Sequence, residues 1–149
     1  MEYFMNFIVA LAATAIGVYL ALRVQKNAES SKRNKDAEEV KNKIKEELAE
    51  AIVTIRSTRE QRDSLFLSPI KTPVFKAYVN STKITLLDKY DWYKELLILY
   101  KYIDDINSWH NLKTDKSYNT NTVHVGKIDD GLRLAENSIL DSDVIDKMN

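Results

Sequence analysis

Side chains that could do chemistry are few in this chain and poorly grouped. The two histidines, His110 and His124, fall in different segments. His110 lies toward the end of an apolar helical pattern, where a cation would meet the helix's C-terminal dipole. A lone histidine there reads as structural. Asp104-Asp105 and Asp129-Asp130 are adjacent acid pairs. Neighbours on a helix point about 100° apart, so such pairs are poorly placed to share a metal or a proton. They read as hydrated surface acids. The chain has no cysteine, which excludes disulfides, zinc–thiolate sites, iron–sulfur clusters and thiol catalysis. No metalloprotease, nucleophile-elbow, phosphate-loop, dinucleotide or EF-hand motif occurs. The expectation is a protein that is not an enzyme, with no cofactor, no metal and no small-molecule substrate.

Charge points the same way. Lys plus Arg number 22 and Asp plus Glu number 22 in 149 residues, a net charge of zero. The electrostatic footprint of nucleic-acid binding is missing, so no nucleic-acid partner is expected. With three Gly and two Pro, an all-β fold rich in hairpins is disfavoured. The fold class expected is all-α: an N-terminal transmembrane helix, a charged helical stalk and a small antiparallel helical domain.

The anchor is the strongest element. Phe4 to Leu22 is a run of 19 residues without a charge. As a helix it spans about 28 Å, close to the ~30 Å hydrocarbon core. Only Asn6, Thr14 and Tyr19 interrupt it. A signal peptide would want a basic start and a well-placed small-x-small cleavage site. The start is Met-Glu-Tyr, and the apolar run leads directly into Arg23-Val24-Gln25-Lys26. An uncleaved single-pass anchor in the cell membrane is expected. Within it Ala13, Gly17 and Ala21 fall at i, i+4 and i+8, a ridge of small residues against which another transmembrane helix could pack closely. Chance in an alanine-rich segment is the other reading.

Residues 23–38 form a basic juxtamembrane stalk. Arg23, Lys26, Lys32, Arg33 and Lys35 stand against few acids. They place the C-terminal part in the cytoplasm by the positive-inside rule. They are also candidates for contact with anionic lipid headgroups.

Residues 39–112 are expected to form the soluble domain. Val40, Ile44, Leu48, Ala51 or Ile52, and Ile55 recur at helical spacing. The stripe suits packing on its own domain, with a coiled-coil dimer as the alternative. Pro69 and Pro73 make Ser68 to Thr72 a turn, with a short helix over Val74 to Val79 and another short element at Ile84 to Leu87. Asp91 is the expected N-cap of a helix running to Leu112. Its inner stripe is Leu96, Tyr100, Ile103 and Ile106 or Asn107, widened by Trp92, Leu99 and Tyr102. A helix apolar on most sides must be covered on several of them.

Residues 113–149 read as a polar loop, an amphipathic helix and an acidic, mobile tail. Val125, Ile128, Leu132, Ala135 and Ile139 recur at 3, 4, 3, 4. This face either closes the domain or docks onto a partner, with Val125, Ile128, Leu132 and Ile139 as the docking residues. Gly131 weakens the helix by ~1 kcal/mol relative to alanine.

Three segments together carry a resemblance: Gly17-Val18-Tyr19-Leu20-Ala21-Leu22, then Ser81-Thr82-Lys83-Ile84-Thr85-Leu86-Leu87, then Ile106-Asn107-Ser108-Trp109. Over residues 4 to 112 the chain resembles a group of uncharacterised small single-pass membrane proteins of prokaryotes. The resemblance implies the same architecture and carries no activity or site residues with it. The leading functional expectation is an accessory or scaffold subunit of a membrane complex, with the lipid bilayer and other subunits, or itself, as partners. A self-associating envelope or lysis protein of spanin-like layout is the alternative. A membrane-tethered sensor or enzyme with an unrecognised site is the third.

Overall fold

A computed structural model gives the fold. It describes residues 2–60, 69–114 and 122–149, without the side chains of 60, 112–114 and 122–129. The described residues are all-α, with no strand among them. Five helices follow in order: α1 (Glu2–Glu60), α2 (Pro73–Asn80), α3 (Tyr93–Thr114), α4 (Thr122–Leu140) and α5 (Val144–Lys147). A 3-10 turn, Lys83–Leu87, lies between α2 and α3. The chain divides into two units, Met1–Glu38 and Glu39–Asn149.

The first unit is the amino-terminal part of α1. Its apolar run is exposed throughout, and the helix is long and apolar enough to cross a membrane by length and composition. Thr14, a polar residue inside the run, donates its hydroxyl to the Ala10 carbonyl at 2.9 Å. The helix thereby satisfies that group internally. The basic stalk is helical as well. From Val24 to Glu60 no Gly or Pro interrupts a sequence rich in Glu, Lys, Arg and Ala, all strong helix formers.

The second unit carries the core. Val40, Ile44, Leu48, Ala51 and Ile55 of α1 are buried in one cluster with Leu96, Leu99, Tyr100, Ile103 and Ile106 of α3 and Leu132, Ala135 and Ile139 of α4. The α1 stripe is therefore consumed within the chain, and the coiled-coil alternative loses the face it needed. Two contacts set the relation of α3 to α4. Trp109, late in α3, meets Gly131 in the middle of α4. Glu95, early in α3, pairs with Lys147, beyond the end of α4. The two helices are antiparallel.

Three local expectations shift. The first hydrogen bond of α3 runs from the Leu96 N–H to the Trp92 carbonyl at 3.0 Å, so Trp92 holds the N-cap place and Asp91 lies one residue outside it. Trp92 is buried and stacked on Tyr90 with ring centroids 4.9 Å apart, so packing sets the start of the helix ahead of capping preference. The tail expected to be mobile folds instead. Val144 and Met148, four residues apart, share one helical face and are both buried in the core. Lys147 adds ion pairs of 2.8 Å to Glu95 and 3.0 Å to Asp143. Lys45 donates a hydrogen bond to the Asn149 side chain. The helical domain thus extends through α4 and α5 to Asn149 and does not stop at residue 112. The turn at Ser68 to Thr72 is seen from Pro69 onward, with Ser68 outside the described residues. Within the loop expected at 113–122, residues 115–121 lie outside them too, and Thr122 is the first residue of α4.

Candidate functional site

The polar centre of the helical domain is Glu47. It stands on the core-facing stripe of α1, three residues after Ile44 and one before Leu48, and is only 6% exposed. A carboxylate there must be fully partnered, because burying an unpaired charge is costly. Its partners come from two other elements. Oε2 accepts the Val74 N–H at 2.6 Å. Oε1 accepts the Phe75 N–H at 3.0 Å and the Tyr100 hydroxyl at 2.9 Å.

The geometry explains why Glu47 is tolerated. Pro73 occupies the first turn of α2, where its missing N–H does no harm. The next two N–H groups need an acceptor, and Thr72, the N-cap, provides none from its side chain. A carboxylate from α1 fills that role, at the positive end of the α2 dipole. Above it the rings of Phe75 and Tyr100 stack at 3.6 Å, nearly parallel. Burial, the charge on Glu47 and their mutual hydrogen bond, in that order, hold the Tyr100 phenol well above the ordinary tyrosine range. An open groove runs beside the carboxylate, lined by Lys43, Glu46, Glu50, Lys71, Pro73 and Val74.

Asn107 plays a parallel part. Its Nδ2 donates to the Ile70 carbonyl at 2.9 Å, and its Oδ1 accepts the Ile70 N–H at 2.8 Å. The segment Pro69–Thr72 forms no regular structure. At Ile70 the Asn107 side chain of α3 supplies the hydrogen bonds that a helix or sheet would otherwise give. Both clusters thus bind the chain's own backbone. Both oxygens of Glu47 accept hydrogen bonds from the chain itself, so the carboxylate ties α2 to α1. Among the described residues, Glu136 on α4 and His110 on α3 are buried ionisable side chains as well.

The residues singled out from sequence fall in three places. Ala13, Gly17 and Ala21 are exposed on one helix in the first unit. A Cβ placed on Gly17 would meet nothing within 4 Å, so the ridge is open. Arg23, Lys26, Lys32, Arg33 and Lys35 are exposed on the same helix. Leu132 and Ile139, expected to be docking residues, are 2% and 0% exposed in the chain's own core. That corrects the docking reading for these two, since the apolar cover they need comes from α1 and α3. Val125 and Ile128 lie on α4, with side chains outside the described residues. The same holds for His124 and Asp129. Among the described residues no cluster of three or more His, Cys, Asp or Glu could hold a metal.

No protein-family model, curated protein or solved structure matches this chain. The functional reading therefore rests on the physical chemistry of the chain itself.

Glu47 is the residue that reading the sequence passes over. Its signal was an acid at 47 inside the 40–44–48–51–55 stripe, where the helical register turns it inward. Asn107 was already on the inner stripe of α3, as an alternative to Ile106. Its pairing with a backbone 37 residues away has no local signature.

Proposed function

We propose that the chain is a non-enzymatic, single-pass accessory or scaffold subunit of a larger membrane protein complex, anchored by residues 4–22. One observation carries this reading: an apolar run as long as a bilayer is thick, with none of it buried. Leaving that much apolar surface in water is unfavourable by ~25 cal/mol per Å². Lipid removes the cost. A signal sequence passes the same test of length and composition. Against it stands the direct passage of the apolar run into the stalk helix.

The other parts follow from this placement. Arg23, Lys26, Lys32, Arg33 and Lys35 flank the apolar run and suit anionic headgroups of a cytoplasmic leaflet, which puts the helical domain in the cytoplasm. The open Ala13–Gly17–Ala21 ridge suits a neighbouring transmembrane helix, from another subunit or a second copy. The most prominent buried polar side chains of the helical domain, Glu47 and Asn107, are engaged in holding its own backbone. That favours a binding role over a catalytic one.

The test has two steps. Membranes carrying the full chain are washed with alkaline carbonate, and the chain is expected to stay in the pellet. Release of the intact chain into the supernatant would overturn the anchor. Purification in mild detergent should then yield a particle larger than one chain plus micelle. A lone monomer with nothing co-purifying would overturn the subunit reading. A reporter fused after Asn149 separates the envelope or lysis reading, which requires an extracytoplasmic domain.

A further inference from the structure

None of the eight residues of α2 is fully buried. Its attachment to the domain is correspondingly narrow. Phe75 stacks on Tyr100, and Val74 and Tyr78 pack partly against the core. Lys76 lies 4.0 Å from Asp104 with both side chains well exposed, a contact of little weight. Lys43 of α1 also interacts with the Tyr78 side chain. The buried tie is the Glu47 carboxylate, 27 and 28 residues distant from the amides it binds.

That arrangement differs from ordinary capping in one respect. An N-cap side chain belongs to the same local segment and moves with its helix. Glu47 belongs to the core stripe of α1 and stays behind if α2 moves. The ground on either side of α2 is fixed. Before it, both backbone groups of Ile70 are held by Asn107. After it, Ile84 and Leu87 of the 3-10 turn are buried in the core. Between α2 and that turn stands Thr82, in the left-handed region at φ 59°, a conformation threonine adopts at a cost. The chain changes direction there, on an exposed residue.

We propose that α2 is a strap, opening and closing as a unit between Ile70 and Ile84, with the Glu47 carboxylate as its catch. Opening breaks the two hydrogen bonds from the Val74 and Phe75 N–H groups to Glu47 and separates the stacked rings. It bares the Tyr100 phenol and the carboxylate together, beside the groove of Lys43, Glu50 and Lys71. The closed state needs a side chain that accepts three hydrogen bonds at once. Glutamine at 47 has one acceptor oxygen and a donor nitrogen, so it leaves a donor of the set unserved.

Amide hydrogen exchange read by mass spectrometry, on the full chain in detergent micelles, tests the strap. In the unmodified protein, a peptide covering 74–81 is expected to exchange at least about tenfold faster than one covering 96–106, through an opening insensitive to low denaturant. Glu47→Gln should speed exchange over 74–81 by about tenfold or more and leave 96–106 unchanged. Tyr100→Phe, which removes one of the three donors, should act in the same place and by less. Equal rates in the two peptides of the unmodified protein, with the same dependence on denaturant, overturn the proposal, and this measurement stands even if E47Q fails to fold. Acceleration of both peptides in parallel by E47Q overturns it as well.

Discussion

The indole of Trp109 occupies the space that a side chain on Gly131 would need. A Cβ built there would stand 3.1 Å from Cζ2 and 3.3 Å from Cε2 of the ring. The glycine in α4 therefore has a packing reason: it lets α3 approach α4 by the width of a methyl group. Two effects oppose each other in Gly131→Ala. Helix propensity favours alanine by ~1 kcal/mol. Forcing a methyl against the edge of a rigid ring costs about 1–3 kcal/mol. We expect a net loss of about 0–2 kcal/mol, the difference between these two effects. The decisive measurement is a double-mutant cycle. In a Trp109→Phe background the smaller ring lacks the crowded rim, so Gly131→Ala should become neutral or stabilising. Additive effects would show that the contact is not what keeps position 131 small.

Asn107 makes the second prediction. Asn107→Ala leaves the N–H and the carbonyl of Ile70, a residue only 6% exposed, without their partner. Each orphaned group costs about 1–3 kcal/mol, so the variant should be among the least stable at a half-exposed polar position. Asn107→Asp is the sharper control. It keeps the acceptor for the Ile70 N–H but turns a charged oxygen toward the Ile70 carbonyl, so it should not rescue. Both tryptophans, Trp92 and Trp109, lie in the helical domain. Their fluorescence during urea unfolding of the detergent-solubilised chain reads this domain alone. A change within about 0.5 kcal/mol, the scale of an ordinary surface substitution, would remove the clamp from the account.

The tail yields a third. Met148 is 2% exposed and Val144 1% exposed. Truncating a buried methionine to alanine costs about 2–5 kcal/mol. Met148→Ala should therefore shift the unfolding midpoint far more than Lys147→Ala, whose ion pairs are solvent-exposed. Equal, small shifts for the two variants would mean that α5 does not pack as described.

Periodicity carried most of this fold, because burial in helices leaves a repeating mark. The stripes 40–44–48–51–55 and 96–100–103–106 are apolar at every turn, and both are buried. Punctuation carried the next layer: Pro73 opens α2, and Ser81-Thr82 closes it. What stayed hidden depends on distance or on brevity. Val144 and Met148 are a single i,i+4 pair among acids, too short to register as a stripe, yet two apolar side chains suffice once α1 and α3 offer a surface. Gly131 reads as a weakness in a lone helix, and only the neighbouring indole gives it a purpose. Glu47 reads as a surface acid by type and as core by register. The two cues conflict, and the conflict resolves through amides 27 and 28 residues away that no local pattern announces.

The last prediction concerns Tyr100 and pH. Its phenol is raised in the folded state by burial first and by the nearby Glu47 charge second. A raised value means that the folded state keeps a proton the unfolded state gives up. The contribution to stability is complete below the unfolded tyrosine value of about 10 and shrinks as pH climbs beyond it. Stability of the helical domain should therefore be flat in this contribution through neutrality and fall above about pH 10. Tyr100→Phe should lose the hydrogen bond to Glu47 at all pH values but show a shallower alkaline decline. Tyrosinate absorbance gives an independent reading. The Tyr100 step should come late, when the strap opens or the domain unfolds, and it should vanish in Tyr100→Phe. A titration in which Tyr100→Phe removes no late step would mean that the contact with Glu47 is looser than 2.9 Å implies.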